Sequence, residues 1–245
     1  MSRCYAGVGP RRVPSDVFSY MTRVAQRLHK LNFILRTGGA PGASHAFSRG
    51  VPYGPMKEVY LPWPGFNKNQ SPLHKYDDKA FELAEKYHPA WGKLNISAQK
   101  FMACNVAQVL GRYLDDPVMF VVTWTHDGIE DHNTTPKTGE SGQIIRLAYD
   151  RGIPIFNLFN GKSRMVDLAN FLIEKGIITE LKEDVASRII EQEKAENQRK
   201  AERQKQLAVR ESDDLDDDAE DDEWEEVDED EYDPDDPEWE YEEIR

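Results

Sequence analysis

Glycine-rich segments are the first places in this chain where chemistry could occur. Gly7-Val8-Gly9-Pro10-Arg11 follows the apolar run Cys4-Tyr5-Ala6, and Gly38-Gly39-Ala40-Pro41-Gly42-Ala43 follows Phe33-Ile34-Leu35. Glycine permits positive φ and lets backbone N–H groups approach a ligand with no Cβ in the way. A helix that starts directly afterwards adds the positive end of its dipole, so such turns suit phosphate. Thr138-Gly139-Glu140-Ser141-Gly142-Gln143 repeats the arrangement less cleanly. One such turn is most simply a tight chain reversal. Three of them at strand ends of one sheet favour a phosphate-bearing ligand. The pattern is not the dinucleotide fingerprint, because no G-x-G-x-x-G opens a helix with an acidic residue ~20 positions on. There is no Walker A sequence either, so hydride transfer and ATP-driven chemistry have no support.

Basic and aromatic residues accompany these turns. Arg11, Arg12, Arg36 and Arg49 lie in or near them, and Tyr5, Trp63, Phe66 and Trp124 stand at or next to strand ends. Single-stranded nucleic acid needs that combination, charge for its backbone and flat faces for its bases, with stacking worth about 1–3 kcal/mol per base. The alternative is that the aromatics cap the core and the arginines are solvated. His126, Asp127, Glu130, Asp131 and His132 share one loop. Their spacing matches no known metal set, so a solvated polar loop is expected and no metal site is assigned.

The elements that must position these turns alternate along residues 1–178. Strands are expected at Cys4–Val8, Phe33–Leu35, Glu58–Leu61, Val118–Thr123 and Ile153–Leu158. Helical spacing is expected from about Pro14 to Leu28, then over Ala43–Val51, Asp78–Tyr87, Ser97–Arg112, Ser141–Arg151 and Met165–Lys175. The β-branched run at 118–123 suits a central strand covered on both faces. Strand–helix alternation of this kind implies an α/β sandwich around a mainly parallel sheet. In an open parallel sheet the carboxyl-end turns gather on one edge, where ligands bind.

Composition separates body from tail. The chain has 245 residues and a formal charge of −14. Residues 211–245 hold 23 of the acids and one base, a net of −22. Residues 1–210 hold the other 22 acids and 30 bases, a net of +8. Residues 1–178 therefore read as the globular domain and 179–210 as a charged C-terminal helix. Its apolar stripe, Ile178, Leu181, Val185 and Ile189, gives way to the highly charged EQEKAENQRKAERQKQ. Residues 211–245 have no apolar period and are expected to be disordered. Trp224, Tyr232, Trp239 and Tyr241 interrupt the tail's acids. Acidic–aromatic segments of this kind can dock on basic, apolar surfaces, so a basic DNA-handling partner or the body's own basic face is expected as its target. No stretch reaches the ~18 apolar residues of a membrane span, and no secretory signal is visible. Cys4 and Cys104 have no nearby partner, which fits a reducing compartment. A cytoplasmic protein is expected.

The segments YAGVGPR, RTGGAPGASHAF, EVYLPWPGFN, HPAW, CNVAQVLG, VVTW, TGESGQIIRLA and GIPIFNL occur in the order found in short DprA-like proteins. The chain resembles that group, part of the Rossmann-like SLOG superfamily and typically encoded by tailed phages, over roughly residues 3–160. The compartment would then be the host cytoplasm. The resemblance implies a pocket for nucleotide or nucleic-acid phosphate formed by Gly7, Gly9 and Arg11, by Gly38, Gly39, Ala40, Gly42 and Ser44, by Asn105, and by Thr138, Gly139, Ser141 and Gly142. Tyr5, Arg12, Arg36, Trp63 and Trp124 are the expected contacts to bases or backbone. Full-length DprA proteins bind single-stranded DNA and help load recombinase, and relatives often self-associate, so a homo-oligomer is among the expectations.

Departures from the family pattern bear on this. Pro10 lacks the hydroxyl and N–H donor of the usual Ser, Ser44 replaces an Asp, and Cys104 replaces an Arg. Glu140 sets a carboxylate where an anion would sit, which repels it. The Glu-Glu pair of the phosphoribohydrolase branch is missing, since Gln143-Ile144-Ile145 stands there. Nucleotide cleavage is therefore not expected, and no catalytic residue is assigned. The expected function is binding of single-stranded DNA or of a nucleotide phosphate, with a bound nucleotide as the one cofactor-like ligand. Two alternatives stay open: a sensor or sequestering protein for a nucleotide-derived small molecule, and a DNA mimic acting through the acidic tail.

Overall fold

The computed structural model describes residues 3–180, together with helical residues 191, 194–195, 198–199, 201–203 and 205–206. The chain divides into two units, Met1–Glu196 and Asn197–Arg245. Leu181, Val185 and Ile189 of the expected docking stripe, and the acidic segment 211–245, lie outside the described residues.

The first unit runs β1 (Cys4–Gly7), α1 (Ser15–Lys30), β2 (Ile34–Gly38), α2 (Ala43–Gly50), β3 (Lys57–Tyr60), α3 (Asp78–Lys86), α4 (Ile96–Leu110), β4 (Phe120–Thr123), α5 (Ser141–Asp150), β5 (Ile155–Asn157) and α6 (Ser163–Glu174). All five strands are parallel, in the order β3-β2-β1-β4-β5. This is a Rossmann-like α/β layout. The order grows outward from β1 in both directions, so the β1/β4 junction is the topological switch point of the sheet. The middle strand is β1 rather than the longer apolar run at β4, although β4 is buried on both faces as its composition requires.

Period-2 alternation decides what each face holds. Cys4, Ala6 and Val8 face one way with Val121 and Ile155, against Ala84 of α3, Val106 and Val109 of α4 and Ile145 and Leu147 of α5. Tyr5, Phe120, Val122 and Phe156 face the other way, against Met21 and Val24 of α1, Phe47 of α2 and Leu168 and Leu172 of α6. Helix starts are fixed locally. The Asp77 side chain accepts from the Ala80 N–H at 3.2 Å, and Asn95 accepts from Ala98 at 2.9 Å, satisfying donors that the first turns of α3 and α4 would otherwise leave open.

Both edges of the sheet are covered. Beside β3, the Leu61 N–H donates to Leu73 O at 2.8 Å and Ser71 Oγ donates to Val59 O. Beside β5, the Asn157 N–H donates to Glu130 Oε1 at 2.6 Å and Arg164 Nη2 donates to Ile155 O at 2.9 Å. Glu130 and Arg164 also pair with each other at 2.5 Å, forming a clip over that edge.

Arg36, expected to contact nucleic-acid backbone, has a different place. It is 3% exposed. Its Nε meets Glu58 Oε2 at 2.8 Å and its Nη2 meets Asp116 Oδ2 at 2.6 Å, while Tyr60 Oη donates to the same Glu58 oxygen. A buried guanidinium must be paired, and this one braces β2 to β3 and to the α4–β4 connection. Removing one partner of a fully buried pair costs about 3–5 kcal/mol. Glu58 and Asp116 both reach solvent, so Arg36→Ala should cost somewhat less, about 2–3 kcal/mol, measured by urea denaturation. A smaller loss accompanied by lost ligand binding would return Arg36 to the binding site.

Candidate functional site

The turn after β1 and the turn after β2 are joined by their backbones. The Ala43 N–H, at the start of α2, donates to Pro10 O at 3.1 Å. Gly42 lies against that junction with φ +74°, and a Cβ there would stand 2.3 Å from Arg11 O, so only glycine fits. The carbonyl of Pro10 is what the junction uses, and its missing N–H and hydroxyl play no part in it.

A crevice of about 40 Å³ opens beside this junction. Val8, Gly9 and Arg11 come from the first turn, and Gly38, Gly39, Ala40 and Ser44 from the second. Glu140, Ser141 and Ile144 come from the start of α5, and Phe101, Cys104, Asn105 and Gln108 from α4. Three glycine-bearing bends thus meet at one site. Of the thirteen residues expected in a phosphate pocket, eight line the crevice: Gly9, Arg11, Gly38, Gly39, Ala40, Ser44, Asn105 and Ser141.

The other five support it or lie apart. Gly7 is inside β1 beneath Phe47 and Leu35, and its carbonyl accepts from Thr37 Oγ1 at 2.6 Å. Gly42 forms the turn junction. Thr138 is buried, and its hydroxyl is committed to Asp127 at 2.5 Å. Gly139 and Gly142 are bonded to each other, Gly142 N–H to Gly139 O at 3.0 Å, in the bend that starts α5.

The stacking set is largely corrected. Tyr5 is fully buried in the middle of the sheet, stacked on Phe120 at 5.7 Å, and its hydroxyl has no hydrogen-bond partner among the described residues. Trp124 is buried in the α1/α2/α6 core beside His126 and Phe159. Neither ring can receive a base. Arg12 and Arg49 are exposed. Trp63 is half-buried and packs edge-on with Phe66 and Phe101 in a triad whose third member lines the crevice.

Electrostatically the crevice is balanced. Arg11 Nη2 pairs with Glu140 at 2.9 Å, both side chains about half exposed (47% and 51%), and the guanidinium lies 4.8 Å over the Phe101 ring. The Glu140 carboxylate, at the positive end of α5, is therefore held rather than free. Burial pushes the Cys104 thiol up to about 11, so it is neutral at physiological pH. The floor is a chain of side-chain amides. Gln108 donates to Asn105 at 3.2 Å, Asn105 donates to Gln143 at 3.2 Å, and Gln143 donates to Ala84 O at 3.2 Å. Phe101 and Gln108 escaped the sequence reading. They lie four residues before and three after Asn105, the spacing of one helix face, which is the signal that finds them.

The polar loop 125–138 is an organised support for α5. Asp127 accepts from Thr125, Thr135 and Thr138 hydroxyls and from the Ile129 N–H. Glu130 serves the β5 edge, Asp131 accepts from Asn133, and His132 packs on Tyr149. Among the described residues, no group of three or more His, Cys, Asp or Glu could hold a metal ion. Among the same residues, no helix is long and apolar enough to cross a membrane.

Compared with protein-family models, curated proteins and solved structures, the chain gives no significant match.

Partial burial disfavours the charged form of Asp127, but the hydroxyl donors of Thr138, Thr125 and Thr135 and the Ile129 amide outweigh it and hold its carboxyl below the ordinary 3.8. The stabilisation is therefore complete above the ordinary value and is lost as pH falls through the depressed folded value. Asp127→Asn should lower the melting temperature at neutral pH and flatten the acid limb below about pH 4. Thermal melts across that range check it, and an unchanged acid limb would remove Asp127 as the organiser of the loop.

Proposed function

We propose that this chain is a DprA-like protein that binds a phosphate group, supplied by a nucleotide, in the crevice between the β1 turn, the β2 turn and the start of α5. The observation that carries this reading is the convergence of three glycine-bearing bends with Arg11 at the carboxyl edge of a parallel sheet. Glycines bring backbone rather than side chains to the crevice wall, and the α2 and α5 dipoles add positive potential. At about 40 Å³ the space suits roughly three water-sized groups, the peripheral oxygens of one phosphate.

Of the residues expected to contact bases or backbone, only Arg12 and Trp63 keep access to solvent, since Tyr5, Arg36 and Trp124 are buried. A track of stacked bases has too few platforms. The nucleotide-phosphate reading is therefore preferred to the DNA reading.

Glu140 is the internal competitor. Its pair with Arg11 is half exposed, and pairs of that kind contribute about 0–1 kcal/mol, so an incoming phosphate can take Arg11 from it at little cost. What remains is repulsion between the carboxylate and the phosphate, about 1–4 kcal/mol at contact distance for effective dielectrics between water and the protein surface. Calorimetric titration of the full chain with inorganic phosphate tests the reading. Glu140→Gln should tighten binding about tenfold, and Arg11→Ala should weaken it about tenfold. Both variants should melt within a few degrees of the parent. Absence of binding, or binding indifferent to both substitutions, overturns the proposal.

A further inference from the structure

A larger cavity lies at the other edge of the sheet. Parallel strands put their amino ends together, and a space of about 600 Å³ opens there beside Met119, which precedes β4, and Pro154, which precedes β5. The crevice belongs to the carboxyl ends of the same strands. The volume lies within the range of about 300–1,000 Å³ that small-molecule sites occupy. Leu110 at the end of α4, Val118, Met119, Ile153 and Phe171 of α6 give the cavity apolar walls.

Backbone groups add little to those walls. Helices α4, α5 and α6 all end here, and carbonyls of each last turn already have backbone partners. Leu110 O accepts from the Asp116 N–H at 3.0 Å, Tyr149 O from the Gly152 N–H at 3.0 Å and Ile173 O from the Gly176 N–H at 2.8 Å. Recognition therefore falls to apolar contact and to side-chain charge.

The four charged residues that line the cavity are not equivalent. Asp116 is committed, since its Oδ2 meets Arg36 Nη2 at 2.6 Å. Asp115, its neighbour, is exposed. Arg151 and Lys175, the residues that follow α5 and α6, are exposed as well. Lys175 Nζ stands 5.4 Å over the Phe171 ring, which holds that cation against an apolar wall. Asp150, next to Arg151 in sequence, is engaged by Lys86 Nζ at 3.2 Å and by Tyr87 Oη at 2.7 Å. Among the described residues, neither Arg151 nor Lys175 has a carboxylate within ion-pair distance. With Asp116 offset by Arg36, two cations face one carboxylate, an excess of one positive charge. That balance suits an apolar molecule bearing a single negative charge, and a dianion would exceed it.

We infer that this cavity binds an amphipathic carboxylate, its alkyl or aryl body against Leu110, Val118, Ile153 and Phe171 and its single anionic head at Arg151 and Lys175. The site takes a different ligand from the crevice, at the opposite edge of the sheet, and does not depend on the phosphate reading.

Calorimetry on the full chain at constant ionic strength, with octanoate, 3-phenylpropanoate, octanamide and octylammonium, tests it. One of the two carboxylates should bind saturably, and the tighter of them identifies the body as alkyl or aryl. Octanamide should bind about tenfold more weakly than octanoate, because two partly solvated ion pairs together contribute about that factor, and octylammonium more weakly still. The double variant Arg151→Gln, Lys175→Gln should bring octanoate down to the level of octanamide while melting within a few degrees of the parent. Pro117→Trp, which fills the cavity from an exposed wall, should weaken acid and amide alike. The double variant touches no buried residue and carries the test should Pro117→Trp fail to melt cooperatively. Inorganic phosphate should leave octanoate binding unchanged. If neither carboxylate binds, if acid, amide and amine bind alike, if the double variant changes nothing, or if phosphate displaces octanoate, the proposal is overturned.

Discussion

Five parallel strands end their hydrogen-bonding ladders at the same edge, and the peptide groups beyond that edge have no further strand to bond. The crevice at that edge follows from how those groups are disposed. A buried N–H or C=O must find a partner, and at strand ends the partner is a helix start, a neighbouring turn or a ligand. Here the β1 turn answers α2 through the Pro10–Ala43 hydrogen bond. Glycine at 42 makes the contact sterically feasible, and the bends beside it are left open as a crevice.

Charge then sets the character of that opening. Arg11 is held between a carboxylate and an aromatic ring, Glu140 on one side and Phe101 on the other. Both arrangements are partly solvated and weak, in contrast with Arg36, whose buried guanidinium is gripped by two carboxylates and a backbone carbonyl. The two arginines are near glycine turns alike in sequence. One is mortar within the sheet, and the other stands at a mouth where its partner can be exchanged.

Much of this was legible in the residues and some was not. Strand and helix positions emerged within two or three residues, because apolar period and Gly/Pro punctuation are local signals. The first two turns and the start of α5 meet at the edge where parallel topology puts them. Of the residues expected from the third turn, however, only Ser141 lines the crevice, Thr138, Gly139 and Gly142 being bonded within their own bend and loop. Tyr5 and Trp124 were misread because helices cover both faces of the sheet, and the closing of α1, α2 and α6 over these two rings is a tertiary event that no local pattern carries. Arg36 was misread for a similar reason, its partners lying 22 and 80 residues away. Glu140 was read as a bare repulsive charge. Its neutralisation depends on a residue from the first turn of the chain, and no local pattern announces that.

The Glu130–Arg164 clip has an effect that reaches past its own contacts. A three-residue border strand would ordinarily offer a free N–H and C=O to any extended peptide, including a copy of itself. With Asn157 and Ile155 already answered by side chains, and the opposite border laid under the segment around Leu73, growth of the sheet sideways is blocked on both flanks. Among the described residues, neither border therefore offers a free edge along which the sheet of one copy could run on into that of another.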